Sequence, residues 1–386
     1  MEPQAGKAGR PATPEPPAGA AGAATGGDEP ARRPDAAGPG REAAGPLPEG
    51  KLPPDLLERL VLPRTGVQRR EVVLAAAPGE DAAALDLGGD LCVAASDPIT
   101  GAGHHAGWLA VHVNCNDVAA TGAEPVAVLL TILLPPGSPA AVLEDLMAGA
   151  HAAAREVGCQ IAGGHTEVTP GLGQPLVVAT ALGRAPAAGV LPSGGARPGD
   201  LLLLTKWAGL EGTAILATDC RQALLDRGLA AALLDAAAGL GRWLSIVPEA
   251  RVAARRGAHA MHDVTEGGVL GAVWEMIAAA RRLGGETVGA VVETAAIPVR
   301  EETRAICAAA GIDPLQLIGS GALLVAAPPD TAADLRAAWE EAGIPAAVIG
   351  RVTADGRLRR VDPGGREAEL QPPGTDALWA ARARLS

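Results

Sequence analysis

Phenylalanine and tyrosine are absent from this 386-residue sequence, and six tryptophans bring the aromatics to only 2%. A core built on aromatic anchors is thereby excluded, so Leu, Val, Ala and Ile must fill it. Excess positive charge is lacking too. The 32 Lys and Arg against 44 Asp and Glu leave a net charge of −12 at pH 7, with a pI near 5.1. That balance argues against nucleic acid or an anionic membrane as the main partner and favours ligands that are neutral or bridged by metal. The five cysteines, at 92, 115, 159, 220 and 307, show no CxxC or CxxxC spacing. Neither a zinc ribbon nor a disulfide framework is indicated, and a reducing compartment is expected. The longest strongly apolar stretch, 125–134, falls well short of the roughly 20 residues of a membrane span. The N-terminus has no apolar segment of the secretory kind, so the expected address is the cytoplasm, away from any membrane.

What is present is 48% hydrophobic and 20% charged, with a mean hydropathy of +0.18, the composition of a packed globular protein. The length accommodates two domains. Residues 1–50 are Ala, Gly and Pro with scattered charges and no branched apolar residue before Leu47. They cannot bury enough surface to offset chain entropy and are expected to form a disordered tail. From Leu52 the pattern changes. Leu56, Leu57, Leu60 and Val61 stand at helical spacing before Pro63. Strands are expected over 71–76, 90–95, 126–134 and 175–183, with helices over 108–121 and 139–157, the second capped by Ser138. The Pro/Gly-rich stretch 187–200 reads as a linker between an N-terminal domain, 51–186, and a C-terminal domain, 201–354. In the second domain strands are expected at 201–205, 288–293, 322–327 and 345–350. Helices are expected at 212–225, 229–238, 248–256, 267–283, 300–309 and 331–342. Residues 355–386 read as a charged extension with a last helix over 375–384. The expected class is α/β or α+β.

Several polar motifs interrupt this pattern. Gly79-Glu80-Asp81-Ala82-Ala83 puts carboxylates in a turn between two strands, an arrangement that serves a hard cation such as Mg²⁺ or a plain surface turn. Asp97, before Pro98, follows the strand 90–95 at the end where α/β folds gather their ligands; an Asx turn accounts for it equally. Asn114, Asn116 and Asp117 lie inside an otherwise apolar helix. Buried there, they need a metal ion or hydrogen bonds to another element. Gly163-Gly164-His165-Thr166-Glu167 reads as a turn whose glycines let the backbone approach phosphate closely. His262-Asp263-Val264-Thr265-Glu266-Gly267-Gly268 joins groups suited to proton transfer to a glycine-opened helix N-terminus, a ready anion site, with Thr265 equally a helix cap. Lys206 in a Gly-rich turn, and Gly319-Ser320-Gly321, are weaker signals, since the first lacks the GxxxxGK[ST] of a phosphate loop.

In order and separation these motifs resemble the aminoimidazole ribonucleotide (AIR) synthase-like superfamily, and its HypE-like, hydrogenase-maturation branch most nearly. Asn116-Asp117 followed by Gly122-Ala123-Glu124-Pro125 is the most specific element, close to that family's "ND…GA-P" signature, and the resemblance spans about 71–353. It implies a two-domain fold with an N-terminal mixed-sheet ATP-binding domain, whose strands pair across a homodimer, and an α/β C-terminal domain closing over the phosphates. It implies ATP and Mg²⁺, with Asp81, Asp97 and Asp117 as metal-linked carboxylates. Asn116, Gly163, Gly164, His165, Thr166, Gly267 and Gly268 would contact the nucleotide. His262, Asp263 and Glu266, with Lys206, would face the reacting group. The reaction implied is phosphoryl transfer from ATP to a small acceptor or an amide oxygen. The alternative is a non-catalytic nucleotide-binding assembly factor in hydrogenase or cofactor maturation. Two departures bear on this choice. His165 stands where better-known members often have an acid. The HypE type ends in a cysteine that carries a carbamoyl group, whereas this sequence ends Arg384-Leu385-Ser386, so carbamoyl-carrying chemistry is not expected from the sequence alone.

Overall fold

The computed structural model describes residues 51–99, 105–284 and 287–385; the expected disordered tail lies outside them. Thirteen strands and eleven α-helices are described. The first half contains α1 (Pro54–Leu60), β1 (Val72–Leu74), β2 (Ala83–Asp86), β3 (Leu91–Ile99), α2 (Ala106–Ala120), β4 (Glu124–Leu134), α3 (Ala140–Val157), β5 (Gln160–Val168) and β6 (Leu176–Ala185). The second half opens with β7 (Leu201–Thr205), α4 (Leu210–Asp219), α5 (Arg221–Asp226), α6 (Ala231–Ala238), α7 (Val247–Arg255), β8 (Ala260–Asp263) and α8 (Gly268–Gly284). It continues through β9 (Gly289–Glu293), α9 (Glu301–Ala310), β10 (Leu323–Ala327), α10 (Pro329–Glu341), β11 (Ala346–Thr353), β12 (Leu358–Val361), β13 (Glu367–Glu369) and α11 (Ala377–Leu385). No described helix is long and apolar enough to cross a membrane.

The architecture is α/β with two mixed sheets. The first runs β1-β2-β3-β6-β4-β5 and the second β13-β12-β9-β11-β7-β10-β8. In the first, only β4 and β5 pair in parallel, and α3 provides the crossover that a parallel connection requires. Helix α2 packs against this sheet with Leu109, Val111, Cys115 and Val118 in its core. The second sheet is covered on both faces, and β7 shows how. Leu202 and Leu204 join α8 on one side, while Leu203 joins α7 and α10 on the other, as the two-residue period of a strand dictates.

Four expectations are corrected by the structure. Residues 160–168 form strand β5 rather than a turn. Gly164 fits there because its φ is +138° and a Cβ would stand 1.8 Å from the Leu130 carbonyl oxygen, so β4 lies against bare backbone. Ser138 does not cap α3. The N-cap is Pro139, with no side-chain cap, and the Ser138 hydroxyl donates to the Pro135 carbonyl instead. Residues 260–263 form strand β8, too short for a pattern of its own to be visible. The stretch after 354 is no mere extension, since β12 and β13 complete the second sheet.

Two neighbouring glycines give a contrast that tests the β4–β5 pairing. Gly164→Ala should lower stability by about 2–4 kcal/mol through clash and strain. Gly163→Ala, whose added Cβ would meet only the Leu129 side chain at 3.6 Å, should change it by less than about 1 kcal/mol. Urea unfolding of both variants measures the difference, and equal effects would contradict this packing.

Candidate active site

Helix α2 is buried on all sides: every residue from Leu109 to Ala120 is sequestered, the pattern of a helix enclosed by a large core. Its polar residues therefore need partners, and each finds a different one. Asn114 accepts from the Asp97 backbone N–H at 2.7 Å and donates to the Asp97 and Ala110 carbonyls. It thereby fixes the end of β3 where Asp97 sits. Asn116 faces the other way, donating to the Leu244 carbonyl at 2.8 Å and accepting from the Ile246 N–H at 2.9 Å. Both ends of this amide are spent on the second half's backbone. Asp117 shares a side-chain hydrogen bond with Asp97, while its buried Oδ2 makes none.

Around Asp117 gather carboxylates from three other elements. Burial, followed by the charges of Asp263, Asp97 and Asp81, raises the Asp117 pKa well above the carboxylate range. Asp263, at the end of β8, is pushed up to about 8 by burial and then by Asp81, against the opposing pull of His262 and Lys51. Its Oδ2 also lacks a partner. Asp81, in the turn before β2, accepts a hydrogen bond from the Ser193 hydroxyl at 3.2 Å. That serine belongs to the stretch 187–200, so the connecting segment takes part in the site. Asp81, His262 and Asp263 bring one ligand atom each to within 4.8 Å of one another.

His262 is clamped. Its Nδ1 lies 2.5 Å from Asp81 Oδ1 and its Nε2 3.1 Å from Glu275 Oε2. Burial opposes the imidazolium, but the adjoining charges and hydrogen bonds of Asp81 and Glu275 override it and raise the pKa well above the usual histidine value. Glu275 in turn is held at about 2: burial works against its charge, and hydrogen bonds and charge from His262 and Lys51 prevail. Lys51 Nζ stands 2.8 Å from Glu275 Oε1 and its backbone N–H 3.0 Å from Glu266 Oε2.

The structure thus assembles Asp81, Asp97, Asp117, His262 and Asp263, with Glu266 in electrostatic reach of Asp97. It leaves the other named residues elsewhere or otherwise engaged. Lys206 is buried, paired with Glu249 at 2.6 Å and donating to the Trp243 and Ser245 carbonyls. The Gly267 N–H donates to Asp376 Oδ2 at 2.7 Å, and Gly268 is pressed against the Leu315 and Leu317 carbonyls. Gly163, Gly164, His165 and Thr166 line the exposed edge strand β5, where His165 and Glu167 bond each other at 3.0 Å. Sequence reasoning missed Lys51, Glu275 and Asp376. For Glu275 a signal existed: it is the lone acid in the apolar run 268–280, and a buried charge needs a partner.

The carboxylate oxygens of Asp81, Asp97, Asp117 and Asp263, two of them orphaned, suit a hard cation such as Mg²⁺. Uncompensated, they repel. Because Asp117 and Asp263 keep protons in the folded protein that the unfolded chain releases near pH 4, stability of the metal-free protein should fall as pH rises from about 4 to about 8. Asp117→Asn removes one of these charges. At pH 8 it should raise the metal-free melting temperature by about 5 °C and abolish the further rise that Mg²⁺ gives the wild type. Differential scanning calorimetry with and without Mg²⁺ reads both effects, and a wild type indifferent to pH and metal would remove the cation site.

Comparison with known proteins gives a consistent result. Residues 79–185 match the model of the AIR synthase related protein, N-terminal domain, and residues 197–363 that of its C-terminal domain. The chain is 34% identical over 293 residues to carbamoyl dehydratase HypE of Cupriavidus necator, covering 72% of this chain and 78% of that protein. It is 31% identical over 335 residues to the Rhodobacter capsulatus carbamoyl dehydratase HypE, covering 83% and 93%. Among solved structures, the hydrogenase maturation protein HypE in complex with ATP superimposes with a TM-score of 0.64 at 26% identity, covering 86% of this chain and 96% of that one.

Proposed function

Since the chain belongs to the AIR synthase related family, in its HypE-like branch, we propose that it is an ATP- and Mg²⁺-dependent enzyme that phosphorylates an amide oxygen and so prepares the group for dehydration. The observation that carries this reading is the convergence of Asp81, Asp97, Asp117 and Asp263 from both halves, with buried unpartnered oxygens on two of them. The relatives' name, carbamoyl dehydratase, favours a carbamoyl-type amide as acceptor over an unrelated small molecule.

Asp81, Asp97 and Asp117, with Asp263, would hold Mg²⁺. Once bound, the ion supplies neutralisation of the phosphate oxygens. In the first step the amide oxygen forms a bond to the γ-phosphorus and the bond from that phosphorus to the β–γ bridging oxygen breaks, so ADP leaves. The nitrogen then loses its protons as the C–O bond to phosphate breaks, giving a C≡N group and inorganic phosphate. His262, with both ring nitrogens engaged by carboxylates, orients Asp81 rather than shuttling protons. Glu266 is the better proton carrier. It is half-buried, and burial, then Asp376, raises its pKa above the ordinary glutamate value. Gly163, Gly164, His165 and Thr166 would meet the phosphates once a second copy covers β5.

The homodimer rests on that same strand. Eight of the nine residues of β5 are exposed, and Val126, Leu129 and Val168 stand open nearby, an edge that proteins normally cover. Sedimentation equilibrium should give the mass of two chains, and Thr166→Pro, which removes an edge N–H, should shift it toward one. A monomer at every concentration would remove this part of the reading.

The reaction is tested by titrating a non-hydrolysable ATP analogue with and without Mg²⁺ and by following ADP release across a panel of carbamoyl compounds. Magnesium-dependent binding, weakened at least tenfold by Asp117→Asn, together with acceptor-dependent ADP, is the expected outcome. No binding in either condition would sink the nucleotide site. Binding without ADP from any acceptor would instead support the assembly-factor reading.

A further inference from the structure

Two cysteines that the carboxylate site does not use meet in the first half of the molecule. Cys115 is buried within α2, between Asn114 and Asn116, and Cys159 stands half-buried in the turn between α3 and β5. Their sulfurs are 4.0 Å apart although 44 positions separate them in the chain. The local fold explains the meeting. Helix α3 ends at Gly158, whose φ of +83° is the left-handed conformation that glycine takes without steric cost. The chain thereby turns back, the Gly158 and Cys159 N–H groups both donate to the Ala154 carbonyl, and Cys159 packs against the core that contains Cys115.

The pair is asymmetric in the way an oxidation site requires. Cys159 is partly open to solvent, whereas Cys115 is fully enclosed. The hydrogen bond from Cys115 holds the Cys159 thiol below the usual cysteine value, against the opposing effect of burial. That same bond, and then burial, pushes the Cys115 thiol up. An accessible sulfur with thiolate character beside a sheltered thiol is the arrangement of an attacking and a resolving cysteine. Disulfide sulfurs lie about 2 Å apart, so closing the gap takes a short movement shared between two side chains. Cys92, Cys220 and Cys307 have no cysteine partner among the described residues.

We propose that Cys115 and Cys159 form a reversible oxidation site, at which a hydroperoxide joins α2 to the turn before β5 through a disulfide. With hydrogen peroxide, the Cys159 sulfur attacks one oxygen: an S–O bond forms, the O–O bond breaks, and the departing hydroxide leaves as water with the thiol proton. The Cys115 sulfur then attacks the Cys159 sulfur. The S–S bond forms, the S–O bond breaks, and the second hydroxide leaves as water with the Cys115 proton. Two thiols are oxidised, one peroxide is reduced to two waters, and a dithiol reverses the product by exchange. A disulfide made and reduced in turn is of the redox-sensing kind that a reducing compartment admits. Neither ATP nor Mg²⁺ takes part, so the site stands or falls apart from the nucleotide reading.

The probe is a stoichiometric dose of hydrogen peroxide on the reduced, folded full chain, followed by alkylation in denaturant and peptide mass spectrometry without reduction. The expected result is a linked Cys115–Cys159 peptide pair, loss of two of the five thiols, and recovery of both with dithiothreitol. Cys159→Ser should leave Cys115 reduced and slow thiol loss about tenfold, because the buried sulfur has no access of its own. Cys115→Ser should stop the reaction at a Cys159 sulfenic acid, trapped by dimedone, with no internal link. The first variant alters a half-buried residue and keeps the test decisive if the second fails to fold. A link between other cysteines, oxidation of Cys159 that leaves Cys115 a thiol, or a rate unchanged by Cys159→Ser would each overturn the proposal.

Discussion

The mutual repulsion of the carboxylates on Asp81, Asp97, Asp117 and Asp263 is the constraint around which this molecule is arranged. Each comes from a different element: the turn before β2, strand β3, helix α2 and strand β8. None of them would be forced close to the others unless the packing of the two sheets required it. The stabilisation that holds them together lies in the cores beneath, where burial of Leu, Val and Ala surface outweighs the local electrostatic cost. That division of labour, stable cores and a strained polar junction, is a common arrangement at functional sites.

Helix α2 is the axle of the junction, and the angular arithmetic of a helix explains how. Successive residues are 100° apart, so Asn114 and Asn116 point about 200° from each other and Asp117 lies between them on the remaining side. Asn114 therefore binds β3 of the first sheet, Asn116 binds the segment 244–246 of the second half, and Asp117 faces the cluster. The segment that Asn116 holds is gripped a second time by Lys206, through the carbonyls of Trp243 and Ser245. Three consecutive backbone carbonyls, 243 to 245, are thus fixed by side chains from two distant elements. Asn116 and Lys206, which the motifs marked as ligand contacts, are fasteners of the frame.

Much of the fold was legible in the sequence because long elements carry strong periodicity. Helices α2, α3 and α8 and strands β4 and β6 stood close to where they were expected. The short strands β8, β12 and β13 were not visible, since three or four residues give no period, and their assignment comes from the ladder they complete. The Gly163-Gly164 pair was misread for a physical reason: paired glycines ordinarily mark turns, whereas here Gly164 admits the Leu130 carbonyl of the neighbouring strand. At the site, Asp117 was marked by its cost as an acid in an apolar helix, whereas Asp81 was marked by its turn, Asp97 by its place at a strand end and Asp263 by the titratable cluster before two glycines. Lys51 was not, because it stands at the edge of a low-complexity stretch and its role depends on meeting Glu275, 224 residues later. Asp376 escaped for the same reason, since only the folded chain brings it onto the amides of Gly267, Ile318 and Leu378.

The charge balance of the site also constrains how a polyanion could enter it. The whole chain carries −12, and the two cations nearest the carboxylates, Lys51 and His262, are both committed to Glu275. Neither is left to meet a phosphate directly without giving up that partner. A nucleotide approaching the cluster would therefore face net negative charge unless a divalent ion came with it or before it. Cation and nucleotide binding would then form one linked equilibrium, in which each raises the affinity for the other by the same factor. The raised pKa values of Asp117 and Asp263 would enter that equilibrium too, since a cation would compete with protons for the same carboxylates. On the proposed reading, acidity and polyanion binding, opposed in the composition, would be reconciled through the metal.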